Sequence, residues 1–239
     1  MKILVVSDLH YRLKQFDWLV QNAESYDLIV IAGDLMELGS YVDPDIQASV
    51  VEQYFRKICA QTPLVACSGN HDLVDEGDGT RTTEWLQDML IPNLTVDQSC
   101  HEGERIRVLA FPWWQNLAQR DEVARWLEHQ YIPNDYRVTL WAHHAPPQGS
   151  KTSWNGKKHL GDPTIVEWIN KYQPEFVLSG HIHNAPYHAD GSWIDRIGET
   201  VVINGGRKTG EVPATITIEL ESQTLVWRGL EGSEHASFA

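Results

Sequence analysis

The sequence is short of cysteine, of positive charge and of long apolar runs, and each shortage removes a class of function. Its 239 residues include three cysteines, Cys59, Cys67 and Cys100, an odd number without a CxxC pair. Neither a disulfide framework nor a Cys-based zinc site is expected, and a reducing compartment fits. No apolar run approaches the roughly 18 residues of a membrane span, and the first such run, Ile3–Val6, is too short for a signal-peptide core. A cytoplasmic location is therefore the expectation. Lys and Arg number 19 against 33 Asp and Glu, for a formal net charge of −14. Such a field repels duplex DNA, RNA and anionic membranes over most of the surface.

What is present belongs to a folded chain. Hydrophobic residues make up 42% and charged residues 22%, enough apolar surface to fill a core. No fixed-period repeat, low-complexity tract or long linker interrupts the sequence, so a single domain over residues 1–239 is expected.

Five short apolar runs, Ile3–Val6, Leu28–Ala32, Leu64–Ala66, Val138–Ala142 and Phe176–Leu178, are continuous rather than alternating, as strands buried on both faces require. Between them lie segments of helical period. Leu13, Phe16, Leu19, Val20 and Ala23 form one stripe, and Ile46, Val50, Val51, Tyr54, Phe55 and Ile58 form another after Pro44. Trp85, Leu86, Met89 and Leu90 predict a third helix, Leu117 to Leu127 a fourth, and Asp162-Pro163 the capped start of a fifth. Later runs, Trp193–Ile197, Thr200–Ile203, Ala214–Leu220 and Thr224–Trp227, are joined by short connections and are expected to pair antiparallel. The fold class is α/β, a four-layer α/β/β/α sandwich with two mixed sheets.

The carboxyl ends of the buried runs are chemically unusual. The five runs lead into Ser7-Asp8-Leu9-His10, Gly33-Asp34, Gly69-Asn70-His71-Asp72, His143-His144 and Gly180-His181-Ile182-His183. Ligands of open α/β sheets bind outside the carboxyl ends of the strands, so these residues should converge. Two Asp, one Asn and at least four His suit borderline divalent ions such as Mn, Fe, Co, Ni or Zn. The set is too large for one tetrahedral ion, whereas seven donors with a bridging carboxylate suit two ions about 3.5–4 Å apart.

In their order, D-x-H, GD, GNHD, H and GHxH, these blocks resemble the calcineurin-like metallophosphoesterase superfamily, from Ile3 to His183 and more weakly to Ile203-Asn204-Gly205-Gly206. The resemblance implies one ion held by Asp8, His10 and His183, a second by Asn70, His143 and His181, and Asp34 bridging both. His143 is taken from the His143-His144 pair as the better match to the pattern, with His144 the alternative. The resemblance also implies that His71 faces substrate without binding metal, and that Asp72 orients it. Two ions would lower the pKa of a bridging water from about 15.7 toward 7, giving a hydroxide able to attack phosphorus in line.

Residues outside these blocks are weaker candidates. The loop after the fourth run holds Trp154, Lys157 and Lys158, a positive cluster able to steer phosphate, and Arg81 comes after the acidic loop Asp75–Asp78. Trp113 and Trp114 fall in a loop that could border the entrance. His101, His129, His159, His188 and His235 are expected to be structural. The function expected is hydrolysis of a small phosphomonoester or phosphodiester, nucleotides among the candidates. The alternatives are a non-catalytic scaffold, opposed by the complete donor set, and a DNA nuclease, opposed by the net charge.

Overall fold

Successive side chains of a strand point to opposite faces, so a run apolar at every position must be covered on both sides. The computed structural model describes residues 1–75, 77, 80–230 and 232–239. Of the acidic loop Asp75–Asp78, Glu76 and Asp78 lie outside them.

The amino-terminal strands are β1 (Lys2–Val6), β2 (Leu28–Ala32), β3 (Leu64–Cys67), β4 (Val74–Asp75), β5 (Arg81–Thr82) and β6 (Leu94–Thr95). Next come β7 (Ser99–Glu102), β8 (Ile106–Ala110), β9 (Val138–Ala142) and β10 (Phe176–Ser179). The last are β11 (Ile194–Ile197), β12 (Thr200–Asn204), β13 (Thr215–Glu219), β14 (Thr224–Arg228) and β15 (Ser233–Ser237). They build a seven-stranded sheet in the order β15-β14-β13-β1-β2-β3-β6, a six-stranded sheet in the order β11-β12-β10-β9-β8-β7, and the small pair β4-β5. Both large sheets are mixed. In the first, β1, β2, β3 and β6 run parallel while β13 meets β1 antiparallel. In the second, β8, β9, β10 and β12 are parallel, edged by antiparallel β7 and β11.

The helices are α1 (Leu13–Asn22), α2 (Pro44–Cys59), α3 (Glu84–Gln87), α4 (Leu117–Gln130) and α5 (Pro163–Tyr172). Asp43 caps α2 by accepting from the Asp45 amide, and Asp162 caps α5 by accepting from that of Thr164. Alternation then divides the core into three. Ile3, Val5, Leu140 and Ala142 face the space between the sheets, Leu4 and Val6 face Phe16 and Phe55 of α1 and α2, and Trp141 faces Leu127 and Ile169 of α4 and α5. The result is the expected four-layer sandwich.

Three local expectations change. The third helix is a single turn, because Leu86 is buried but Leu90 points to solvent, so that stripe is not one helical face. The four carboxy-terminal runs form two antiparallel hairpins as expected, but the connection 205–214 carries the chain across the molecule, so β11-β12 joins one sheet and β13-β14 the other. The β7-β8 hairpin was not expected, since Cys100-His101-Glu102 and Arg107 interrupt any apolar run. No helix among the described residues is long and apolar enough to cross a membrane.

Candidate metal centre

The strand ends converge as the order of motifs requires. Asp8, His10, Asp34 and Asn70 come from loops after β1, β2 and β3 of the first sheet, and His144, His181 and His183 from loops after β9 and β10 of the second. The backbone turns hard at these points. Asp8, His10, Tyr11, Asp34 and His181 all take left-handed φ values between 45° and 66°, a conformation costing non-glycine residues on the order of 1 kcal/mol each. Hydrogen bonds hold it: the amides of Asp8, His10 and Tyr11 donate to the carbonyls of Gly33, Asp34 and Leu35 at 3.0, 2.9 and 2.9 Å. Where space is tightest the chain has glycine. A Cβ on Gly33 would lie 2.4 Å from the His144 ring, and one on Gly180 2.5 Å from the Asp8 carboxylate.

Asp8, His10, Asp34 and His183 form one group whose potential ligand atoms lie within 4.8 Å of one another. His183 Nε2 is 3.1 Å from Asp8 Oδ1, and His10 Nε2 is 3.4 Å from Asp34 Oδ2 and 3.1 Å from His183 Nε2. Beside it, Asn70 Oδ1 accepts from His181 Nδ1 at 2.8 Å, and the His181 ring centroid is 5.2 Å from that of His144.

The histidine pair after β9 reverses the expectation. His144 Nδ1 donates to the Ala32 carbonyl at 2.8 Å, which leaves Nε2 aimed at Asp34 Oδ2, 3.1 Å away. His143 instead stacks on Trp114, with centroids 4.2 Å apart and planes 10° from parallel, and within 4.0 Å it meets no described carboxylate. The cause is strand alternation: Trp141 and His143 face the helices, while Ala142 and His144 face the gap between the sheets.

Asp72 also departs from its expected part. Its carboxyl accepts the amides of Leu35, Met36 and Gly69 at 2.7–2.9 Å, locking the loops after β2 and β3 together, and no described hydrogen bond joins it to the His71 ring. The carboxylate beside His71 is Glu37, whose Oε1 lies 3.2 Å from His71 Nδ1 and whose Oε2 lies 3.3 Å from His10 Nδ1. Glu37 was missed; its signal is a third acid three residues after Asp34, on the same loop.

The proposed substrate residues lie outside the cluster. Lys157 and Lys158 are exposed on a turn closed by Asn155 Oδ1, Trp154 packs on His159, and Arg81 lines a separate cavity of about 180 Å³ with Trp113 and Trp114. None of the four makes a described contact with the donor group. Trp114 is a packing residue bonded to Asp162, whereas Trp113 borders the centre, 5.3 Å from the His181 ring.

The electrostatics fit a cation. Asp8 and Asp34 are 1% exposed. Burial alone would raise both carboxyls, yet His183 and His144 hold Asp8 well below the usual range, and His144 does the same for Asp34. Burial alone would depress His144, but the charges of Asp34 and Asp8 outweigh it and lift the imidazole to about 9. Burial pushes His10 and His181 down to about 4, leaving neutral rings with lone pairs to offer. Buried acids that draw a proton onto a fully buried histidine form a place built for positive charge. The N/O donor set, with His144 Nε2 turned to Asp34 in a buried site, suits a borderline divalent ion there.

The sequence model for calcineurin-like phosphoesterases matches residues 1–185. Among curated proteins none matches. Among solved structures, a protein of Thermus thermophilus superposes with a TM-score of 0.57 at 14% identity, covering 100% of this chain and 99% of its own. A purple acid phosphatase from yellow lupin seeds gives 0.55 at 12% identity, covering 100% of this chain and 51% of its own. A dimetal phosphatase from Danio rerio gives 0.51 at 10% identity, covering 100% and 99%. These likenesses are of fold.

Proposed function

The chain belongs to the calcineurin-like phosphoesterase family, and from that premise we propose that it hydrolyses small phosphate esters, mono- or diesters including nucleotides, at a two-metal centre. The observation that carries this reading is the convergence of seven N and O donor residues from both sheets, the buried carboxylates of Asp8 and Asp34 among them. Asp8, His10 and His183 would hold one ion, Asn70, His144 and His181 the other, and Asp34 would bridge them. Bound divalent ions supply activation of water near neutral pH and neutralisation of phosphoryl charge.

The chain's own groups do the rest. Ala32 orients the His144 ring through Nδ1, so that Nε2 is the nitrogen presented to the centre, and a bound ion would displace its proton. Glu37 places its carboxylate against Nδ1 of His71, leaving Nε2 of that partly exposed ring to hand a proton to the departing alkoxide. Asp72 keeps the loops after β2 and β3 in register, which sets the distance between Asp34 and Asn70. The net charge of −14 supports small substrates over duplex nucleic acid.

The test is a panel of monoesters, diesters, cyclic nucleotides and duplex DNA, offered to metal-free protein reloaded with Mn, Fe, Co, Ni, Zn or Mg. Metal-dependent turnover of small esters is expected. No turnover with any ion would leave the scaffold reading, and faster cleavage of duplex DNA than of every small ester would favour a nuclease.

A further inference from the structure

The positive charge expected near the centre from the 151–158 loop is supplied from elsewhere, by the turn after β12. Arg207 Nη2 lies 3.5 Å from Glu37 Oε2, and among the described Lys and Arg side chains it is the one paired with a residue of the centre. The pairing is long and incomplete: Nε of Arg207 is buried without a hydrogen-bond partner among the described residues, while the side chain as a whole keeps 20% of its surface open.

The turn that presents this guanidinium is tightly built. Gly206 takes φ +68°, and a Cβ there would fall 2.8 Å from the His183 carbonyl. The Arg207 amide donates to that same carbonyl at 3.0 Å, which ties its position to a proposed metal ligand. Asn204, fully buried, accepts from the Gly206 amide and donates to the carbonyls of Gly180 and Ile182 on either side of His181. From the opposite side Gln15 donates to the Lys208 and Gly210 carbonyls. Such anchoring on both sides is more than a solvated arginine needs.

We propose that Arg207 binds a non-bridging oxygen of the phosphoryl group and selects phosphomonoesters over diesters, an inference that rests on the phosphoesterase reading above. A monoester offers three non-bridging oxygens and a diester two. With two ions in the centre, a diester would have no oxygen left for the guanidinium, whereas a monoester would have one, and a partly open guanidinium whose described side-chain partner is Glu37 at 3.5 Å is a donor suited to it.

The test compares Arg207→Ala and Arg207→Lys with the parent, all metal-loaded. It measures kcat and KM for p-nitrophenyl phosphate and bis-p-nitrophenyl phosphate, and the binding of inorganic phosphate by calorimetry. Arg207→Ala should raise KM for the monoester and weaken phosphate binding by about 10–100-fold, the range of a charge-assisted hydrogen bond, with less than about threefold change for the diester. Arg207→Lys should recover part of the loss. Equal losses on both esters, or phosphate binding unchanged in Arg207→Ala, would overturn the proposal and leave Arg207 as the counter-ion of Glu37. A parent that binds phosphate through Arg207 but turns over neither ester would keep the anion site while refuting the phosphoesterase reading.

Discussion

Replacing His144 by Gln should separate two roles that one sequence pair conceals. His144 Nε2 stands 3.1 Å from Asp34 Oδ2 in a fully buried site, and its pKa rises from 6.5 to about 9 in the metal-free fold. At 1.36 kcal/mol per unit, that difference makes the pair worth about 3 kcal/mol, within the range for breaking a buried ion pair by removing one partner. The folded pKa lies above the unfolded one, so the contribution is complete below pH 6.5 and disappears as pH rises toward 9. Urea denaturation of metal-free parent and His144→Gln protein should therefore differ by about 3 kcal/mol at about pH 6, and the gap should close by about pH 9. Elemental analysis after reloading should find the variant short of one ion. His143→Gln loses its ring contacts, chiefly the stack on Trp114 worth about 1 kcal/mol, and should retain both ions under the same reloading conditions. If His143→Gln loses an ion while His144→Gln keeps both, the ligand assignment and the alternation argument beneath it are wrong.

Asp34→Asn should lose both ions together, since its carboxylate faces His10 and His144 alike; elemental analysis showing one ion retained at full occupancy would refute the bridging role. His71→Ala should keep both ions and lower kcat on alkyl esters by about 10²–10⁴. The loss should be smaller on p-nitrophenyl esters, whose phenolate leaves without a proton, and equal losses on the two would count against proton donation. Asp97, buried and bonded to the Ser68 amide and the Thr83 hydroxyl, is pushed by burial from 3.8 up to about 6. An acid raised in the fold costs stability as pH climbs through its folded value, about 3 kcal/mol here between about pH 4 and 6. Asp97→Asn should flatten that part of the pH–stability curve, and an unchanged curve would mean that Asp97 titrates normally.

Much of the centre was legible because a continuous apolar run ending in Asp or His is a strong signal on its own. Ile3–Val6, Leu28–Ala32 and Phe176–Leu178 lead into Asp8, His10, Asp34, His181 and His183, all of which the structure brings together. Val138–Ala142 is ambiguous, because a strand apolar but for Thr139 gives no sign of which face meets the helices and which meets the other sheet. That choice decides between His143 and His144, and it becomes visible only when Leu140 and Ala142 are found between the sheets. Glu37 escaped for a different reason: on an irregular loop no period places a side chain, and its proximity to His71 depends on the left-handed turn at Asp34. The family resemblance also implied Asp72 as the partner of its neighbour His71, although a side chain in a tight turn bonds amides more readily than the residue beside it.

The division of donors between the two sheets has a consequence for how the protein is made. Asp8, Asp34 and Asn70 leave the ribosome early, but their sheet is incomplete until β13 arrives to pair Ile3 with Ile218. The histidines that complete the centre are translated about 75–115 residues after Asn70, some seconds later at roughly 5–20 residues per second. A nascent fragment ending before His144 therefore lacks part of the donor set, and pairing across such sequence distances belongs among the slow steps of folding. An ion held by donors of both sheets would therefore bind late, and would act as a non-covalent rivet between the two sheets rather than as a template for the early chain.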